Sequence, residues 1–269
     1  MKKKVLRILS VILATALLLA VIFFSNAFVG NPISKALALN NAKEYVSKNY
    51  SDESFNQFEA SYDFKLGCFV INVKSDIGAD RIFTITYGFF GELINDNHFM
   101  ITDKVNTANR INNEYKAKTE HLINAVLKEY DGFGFGEILC GDYNDEHIFA
   151  KFIPLSDLEI DKQYNINDLA EKAGHLQIHV NIIKPTNEVI SDILLKTKGI
   201  FDTAGTEFNT VSITVTDSNY DSISVIDFPK EDIYEDGLTE RVAEAILIAQ
   251  QHIEKQNILK EEEIRTAIK

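Results

Sequence analysis

The segment that constrains the fold most strongly is GHLQIHVNII, residues 174–183. Every second residue of this segment is apolar, and the residues between are polar. The apolar positions are Leu176, Ile178, Val180 and Ile182. A period of two places successive side chains on opposite faces of a pleated backbone. The segment therefore predicts a strand over Leu176–Ile183 with one buried face and one solvent-facing polar face.

Helical spacing flanks this strand on both sides. A short helix is predicted around Asp168–Ala173, with Gly174 just after its end, and a longer one over Asn187–Phe201. Two alternating segments, Val211–Val215 and Ile223–Phe228, predict a hairpin. A last helix is expected from Thr239 to Gln256, with its apolar positions facing inward.

The preceding residues repeat this mixture of helices and strands. A helical stripe begins near Thr107, and Asp131-Gly132 ends it. Further strands are predicted at Glu137–Cys140 and Ile148–Pro154. Nearer the N-terminus, a helix is expected over Ser34–Asn49. It is followed by three aromatic and β-branched segments, Phe55–Phe64, Cys68–Val73 and Ile82–Phe90.

These elements predict an α+β fold with two packed modules, each an antiparallel sheet backed by helices. The predicted divisions are 1–29 for a cytoplasmic stub and transmembrane anchor, 30–104 for the first module and 105–269 for the second. The anchor is inferred from the apolar run Val5–Phe24, which follows Lys2, Lys3 and Lys4. A helix of about 20 residues matches the ~30 Å hydrocarbon core of a bilayer.

The basic N-terminal residues predict which side of a membrane the rest of the chain occupies. Lys and Arg remain cytoplasmic, so we expect a single-pass cell-membrane protein with an extracytoplasmic C-terminal body. A cleaved signal peptide is the alternative, with Ser25-Asn26-Ala27 as its processing site. The run is longer than the apolar region of a typical signal peptide, which favours the anchor.

Charge and cysteine content narrow the possible partners. The 269 residues include 27 Lys and Arg against 40 Asp and Glu, a formal net charge of −13. Such acidity argues against nucleic acid, because binding to its phosphate backbone requires a basic surface. The two cysteines, Cys68 and Cys140, would be able to pair in an oxidising compartment, but we expect two buried free thiols.

His175 and His179 have the spacing of a zinc-binding pair on a helix. On a strand, however, four residues span about 13 Å, too far for both imidazoles to reach one ion. The pair is therefore interpreted as part of a solvent-facing polar row.

Four other motifs have structural explanations that we prefer. Asp202–Gly205 resembles a GTPase or aspartic-protease string but is expected to be the C-terminal turn of a helix. Gly132, Gly134 and Gly136 do not open a helix after a strand, as a dinucleotide site requires, and are interpreted as a flexible connection. Asp217–Asp221 lacks the later ligands of a calcium loop and fits a hairpin turn. The acidic residues of 231–236 are expected to precede the last helix.

No nucleophile, base and orienting group can be chosen from these patterns. We therefore assign no catalytic, cofactor-binding or metal-binding residue and no cofactor, and we expect a protein that is not an enzyme.

Several short strings resemble the YfjL-like family of uncharacterised Gram-positive envelope proteins. They are Asn31–Lys35, Ala42–Val46, Tyr62–Lys65, Phe69–Ser75, Asn106–Arg110 and, more loosely, Gly91–Asp96. The resemblance covers mainly the first half of the chain. It implies a single-pass or secreted α+β protein, and it supplies no catalytic residues.

The expected function is that of a non-enzymatic, membrane-tethered binding or accessory module of the cell envelope. Its expected partners are the membrane, through the N-terminal helix, and another envelope protein. The alternative is a sensor of a small molecule or cation, or an envelope hydrolase, with its site between the modules.

Overall fold

The computed structural model describes residues 2–142 and 146–267. The chain divides into two compact units, one ending at Asn106 and the other beginning at Thr107. Both units combine helices with a four-stranded sheet, as the predicted α+β class requires.

The elements of the first unit begin with two helices. In chain order the unit contains α1 (Lys2–Val29), α2 (Pro32–Asn49), β1 (Phe55–Asp63), β2 (Cys68–Ser75), β3 (Ile82–Tyr87), β4 (Leu93–Asp96) and α3 (Phe99–Thr102).

The transmembrane anchor predicted for residues 1–29 is wrong. Among the residues with described side chains, no helix is both long enough and apolar enough to cross a membrane. Part of the predicted span and the whole of the alternative cleavage site, Ser25–Ala27, lie outside the described side chains. The single-pass cell-membrane localisation and the extracytoplasmic body were inferred from the anchor and are corrected with it.

The helix α2 begins slightly before its predicted start. Asn31 has extended backbone angles, and its side chain accepts a hydrogen bond from the amide of Ile33, so it caps the helix three residues before the predicted start at Ser34. Pro32 occupies the first helical position, where a missing N–H costs nothing. Ala38, Ala42 and Val46 form the buried stripe of α2.

The first sheet is an antiparallel meander in the order β1-β2-β3-β4. Its buried face alternates along β2 and β3, where the fully or nearly fully buried residues are Phe69, Ile71, Val73, Phe83 and Ile85. The strand β4 was not predicted from the sequence. Cys68, at the start of β2, is a buried free thiol, and Cys140 in the second unit is a half-buried one.

The second unit contains four strands and four helices among its described residues. They are α4 (Val105–Val126, whose first two residues precede the division), β5 (Asp131–Ile138), α5 (Ile166–Ala173), β6 (Gly174–Asn181), α6 (Asn187–Ala204), β7 (Thr210–Thr216), β8 (Ser222–Pro229) and α7 (Leu238–Ala267). The sheet has the order β5-β6-β7-β8, and its apolar face is buried. Ile148–Pro154 is not a strand; only an isolated bridge joins Ile153 to Cys140.

The second sheet is mixed rather than antiparallel. β6 pairs with β7 in parallel, from His175 opposite Thr210 to Asn181 opposite Thr216. The helix α6 makes the crossover between these strands, as a parallel connection requires. The periodicity identified both strands, but it contains no information about their relative direction.

The three glycines 132, 134 and 136 lie inside β5 and are not a flexible connection. A Cβ atom at Gly136 would lie 2.6 Å from Thr119 Oγ1 and 3.0 Å from Tyr115 Cε1, both on α4. Tyr115 is fully buried and donates to the carbonyl of Glu207 at 3.0 Å, so it has little freedom to move. The glycine therefore allows α4 to approach the sheet closely.

We predict that Gly136→Ala destabilises the second unit by about 1–3 kcal/mol, because the added methyl group overpacks the contact with α4. Gly199→Ala is the matched control: Gly199 is exposed within α6, and a Cβ atom there would have no neighbour within 4 Å. The control should stabilise by about 0.5–1 kcal/mol. Urea unfolding followed by circular dichroism measures both changes, and equal effects of the two variants would contradict this account of β5.

Candidate functional site

The two histidines of the predicted strand have different environments. His175 is 0% exposed, whereas His179 is half-buried and stacks on Phe133 with ring centroids 4.7 Å apart. The prediction that both face solvent is therefore wrong for His175. Their separation along β6 agrees with the expectation that they do not share an ion.

Two of the other motifs have the structural roles that were predicted. Asp202–Gly205 ends α6, and Gly205 is the left-handed residue after the helix, with φ of 59°. Asp217 lies in the β7–β8 loop, where its carboxylate accepts hydrogen bonds from the amides of Asn219 and Asp221. These bonds form a local turn.

The acidic residues of 231–236 precede α7, as predicted. Arg241, in the first turns of α7, donates to the carbonyl oxygens of Asp232, Tyr234 and Asp236. Its guanidinium also lies 3.6 Å from the centroid of the Tyr234 ring. The segment is thus fastened to the helix by its backbone, which supports the structural interpretation.

The polar cluster that sequence reasoning missed is centred on Asp227, in β8. Val211 pairs with Phe228 and Ile213 with Val225, so Ile226 and Asp227 together oppose Ser212 in a β-bulge. Asp227 has a positive φ of 53°, and its amide donates to Ser212 Oγ at 2.9 Å. The bulge directs the Asp227 carboxylate to the face of the sheet opposite the apolar core.

A segment after β5 covers this carboxylate with hydrogen-bond donors. The amides of Ile148, Phe149 and Ala150 donate to Asp227 Oδ2 at 2.5, 3.2 and 3.3 Å. His147 Nδ1 lies 2.8 Å from Oδ1. We call residues 147–154 the covering segment. Its position explains why Asp227 is fully buried and His147 only 6% exposed.

His175 completes the cluster from the neighbouring part of the sheet. Its Nδ1 lies 2.9 Å from Thr210 Oγ1 and 3.5 Å from Asp227 Oδ1. Its Nε2 is buried and has no hydrogen-bond partner among the described residues. The rings of His147 and His175 meet edge to face, with centroids 5.0 Å apart.

Burial and hydrogen bonding shift the pKa values of Asp227, His147 and His175 in different directions. Burial would raise the pKa of the Asp227 carboxyl, but hydrogen bonds from His147 and the Ile148 amide outweigh it and lower the pKa. The bond to Asp227 raises the pKa of His147 despite its burial. Burial lowers the pKa of His175 to about 4. At neutral pH the cluster therefore holds an anionic Asp227 and an uncharged His175.

The covering segment also forms one wall of an open cleft of about 500 Å³. Lys151, Phe152, Ile153 and Pro154 line this wall, and the rest comes from residues 157–173. Phe152 packs edge to face on His147, with centroids 5.3 Å apart. The amide of Ile153 donates to Leu139 and that of Gly141 to Ile153, both at 2.9 Å. The cleft wall is therefore positioned at Phe152 by the buried cluster and at Ile153 by the residues that follow β5.

The cleft combines apolar walls with positive charge. Three lysines line it, Lys151, Lys162 and Lys172, together with the acids Asp157 and Asp168. Lys162 is paired with Glu159. Neither Lys151 nor Lys172 makes an ion pair or side-chain hydrogen bond with any other residue that the structure describes.

Comparison with known proteins gives family matches to both parts of the chain. The model described as "YfjL-like, N-terminal domain" matches residues 2–98, and "YfjL-like C-terminal domain" matches residues 114–243. No curated protein and no solved structure matches the chain.

We predict that Asp227→Asn destabilises the second unit by about 3–5 kcal/mol, because it removes one charge of a buried pair. Amide hydrogen exchange at residues 148–150 should accelerate more than exchange elsewhere in the unit. Asp221→Asn is the control, because Asp221 is exposed in the hairpin loop of the same strand pair. Unchanged protection at 148–150 in Asp227→Asn would contradict the role assigned to the carboxylate.

Proposed function

The chain belongs to the YfjL-like family, and we propose that its C-terminal unit is a non-enzymatic binding module for a small organic anion with an apolar part. The cleft beside the covering segment is the proposed binding site. The leading expectation from the sequence was a protein partner; a small-molecule ligand belongs to the alternative hypothesis, which placed the site between the modules, whereas this cleft is lined by residues of the second unit alone.

The size and lining of the cleft support the proposal. Its volume of about 500 Å³ falls within the ~300–1,000 Å³ typical of small-molecule sites. Phe152, Ile153, Leu158 and Leu169 supply apolar surface, and Tyr164 and Asn165 supply polar groups nearby. Concave apolar surface with a few polar groups is the usual composition of a ligand pocket.

The unpaired lysines support an anionic ligand. Three lysines line the cleft against two acids, whereas the chain as a whole has far more acidic than basic residues. Lys151 and Lys172 line the same cleft and retain their ammonium groups for a ligand. A carboxylate or phosphomonoester would supply the negative charge, and its organic part would contact the apolar wall.

Binding rather than catalysis is proposed because of where the titratable groups lie. His147, His175 and Asp227 are at most 6% exposed, and His147 of the covering segment faces the other two. A general base must reach the proton that it abstracts, directly or through one water molecule. Buried groups that already fasten a segment of backbone are poorly placed for that role.

We predict that benzoate, citrate or phenyl phosphate binds the full-length protein saturably, with binding measured by isothermal titration calorimetry. The double variant Lys151→Gln/Lys172→Gln should weaken the binding by about 10-fold or more, which corresponds to ~1.4 kcal/mol. Both substitutions are on exposed side chains, so the fold should be retained.

The matched control is Lys128→Gln/Lys255→Gln, which removes the same charge from exposed positions outside the cleft. The control should bind the anion as the unmodified protein does. Equal weakening by both double variants would indicate a general charge effect and contradict the cleft. If none of the three anions binds saturably at concentrations up to about 10 mM, the proposed ligand class is contradicted. A Kd of 10 mM corresponds to a binding free energy of only about −2.7 kcal/mol.

A further inference from the structure

The ligand chemistry of the buried cluster is independent of the cleft. His147, His175 and Asp227 each offer one ligand atom, and the three atoms lie within 4.8 Å of one another. Two imidazoles and one carboxylate are a donor set typical of zinc and related first-row metals. Ca²⁺ and Mg²⁺ prefer oxygen ligands alone, so the two nitrogens argue against them.

We propose that His147, His175 and Asp227 bind a divalent transition-metal ion of the zinc class. The ion would fasten the covering segment, which carries His147, to the sheet, which carries the other two ligands.

The unpaired nitrogen of His175 is the observation that points to a ligand. A buried polar atom without a partner is destabilising, and few such atoms occur in native proteins. Thr210 Oγ1 lies 2.9 Å from Nδ1, the other ring nitrogen. If Nδ1 carries the proton and donates to Thr210, Nε2 retains its lone pair. Metal-binding histidines have this arrangement, with the second nitrogen held by an outer hydrogen bond.

The geometry requires a movement of about 1 Å. Ligand atoms about 2.0–2.2 Å from a tetrahedral ion lie about 3.3–3.6 Å from one another. The separations in the cluster reach 4.8 Å, so the ligands must close around the ion. His147 belongs to a segment without regular secondary structure, so it can move toward the two strand residues. Metal binding would replace its hydrogen bond to Asp227 with a bond from each residue to the ion.

Three protein ligands leave one tetrahedral position for a water molecule, but the burial of the cluster favours a structural ion over a catalytic one. Asp227 and His175 are fully buried, which leaves no open path for a large substrate. The expected consequence of binding is a more stable covering segment, because binding to the folded state alone stabilises that state.

The test uses the full-length protein stripped of metal with a chelator. Zn²⁺ binding is measured by competition with a chromophoric chelator, and Co²⁺ is added as a spectroscopic probe. We expect one equivalent of Zn²⁺ and visible Co²⁺ absorption bands, both unaffected by millimolar Ca²⁺. A protein that binds no Zn²⁺, or whose Co²⁺ spectrum is that of the hydrated ion, would overturn the proposal.

Variants identify the ligands. His175→Gln and His147→Gln should each weaken Zn²⁺ binding by ~100-fold or more, and Thr210→Val by ~10–100-fold through loss of the outer hydrogen bond. His179→Gln is the matched control, because His179 lies on the same strand and face but outside the cluster. It should bind as the unmodified protein does.

Circular dichroism of each metal-free variant separates loss of binding from loss of fold. If His175→Gln does not fold, His147→Gln decides the outcome, because its side chain belongs to the covering segment and not to the sheet. Unchanged affinity in folded His147→Gln and Thr210→Val would overturn the site. None of these results depends on anion binding in the cleft, so the two proposals can fail separately.

Discussion

The second unit depends on how one buried carboxylate is satisfied. An ionised Asp in the interior is strongly destabilising unless it is paired and hydrogen-bonded. Asp227 meets this requirement with His147 and three consecutive backbone amides from the covering segment. These donors come from a part of the chain about 80 residues away, so the carboxylate joins the bulge in β8 to a segment that has no regular secondary structure.

The bulge is what makes this arrangement possible. In an unbroken strand, Asp227 would continue the alternation of Ile223 and Val225 and face the apolar core. The extra residue opposite Ser212 reverses the direction of the side chain, and the left-handed backbone costs about 1–3 kcal/mol for a residue other than glycine. The hydrogen bonds made by Asp227 offset that strain.

The sequence was sufficient to predict most strands and helices of the second unit, but not the cluster of His147, His175 and Asp227. Period-two alternation placed β6, β7 and β8, and helical spacing placed α4, α6 and α7, because each buries one face of its own. Periodicity could not show that β6 and β7 are parallel or that a segment covers the opposite face of the sheet. His175 was thus assigned to solvent by a correct strand prediction. An acidic residue beside Phe228 in an apolar strand was the available signal for Asp227, whereas His147 carried none. The anchor was inferred from the length of the apolar run Val5–Phe24 and from the lysines before it.

An ionic cluster in this position determines geometry more than stability. Well-packed apolar residues of similar volume often stabilise a fold as much as a buried ion pair does. Apolar contacts, however, tolerate small shifts, whereas a carboxylate satisfied by three successive amides has few alternative arrangements. The covering segment therefore has a defined position at residues 147–150, and the cleft wall at 151–154 follows directly. Walls that are fixed before binding lower the ordering cost of a ligand, so the buried cluster would pre-form one wall of the proposed binding cleft.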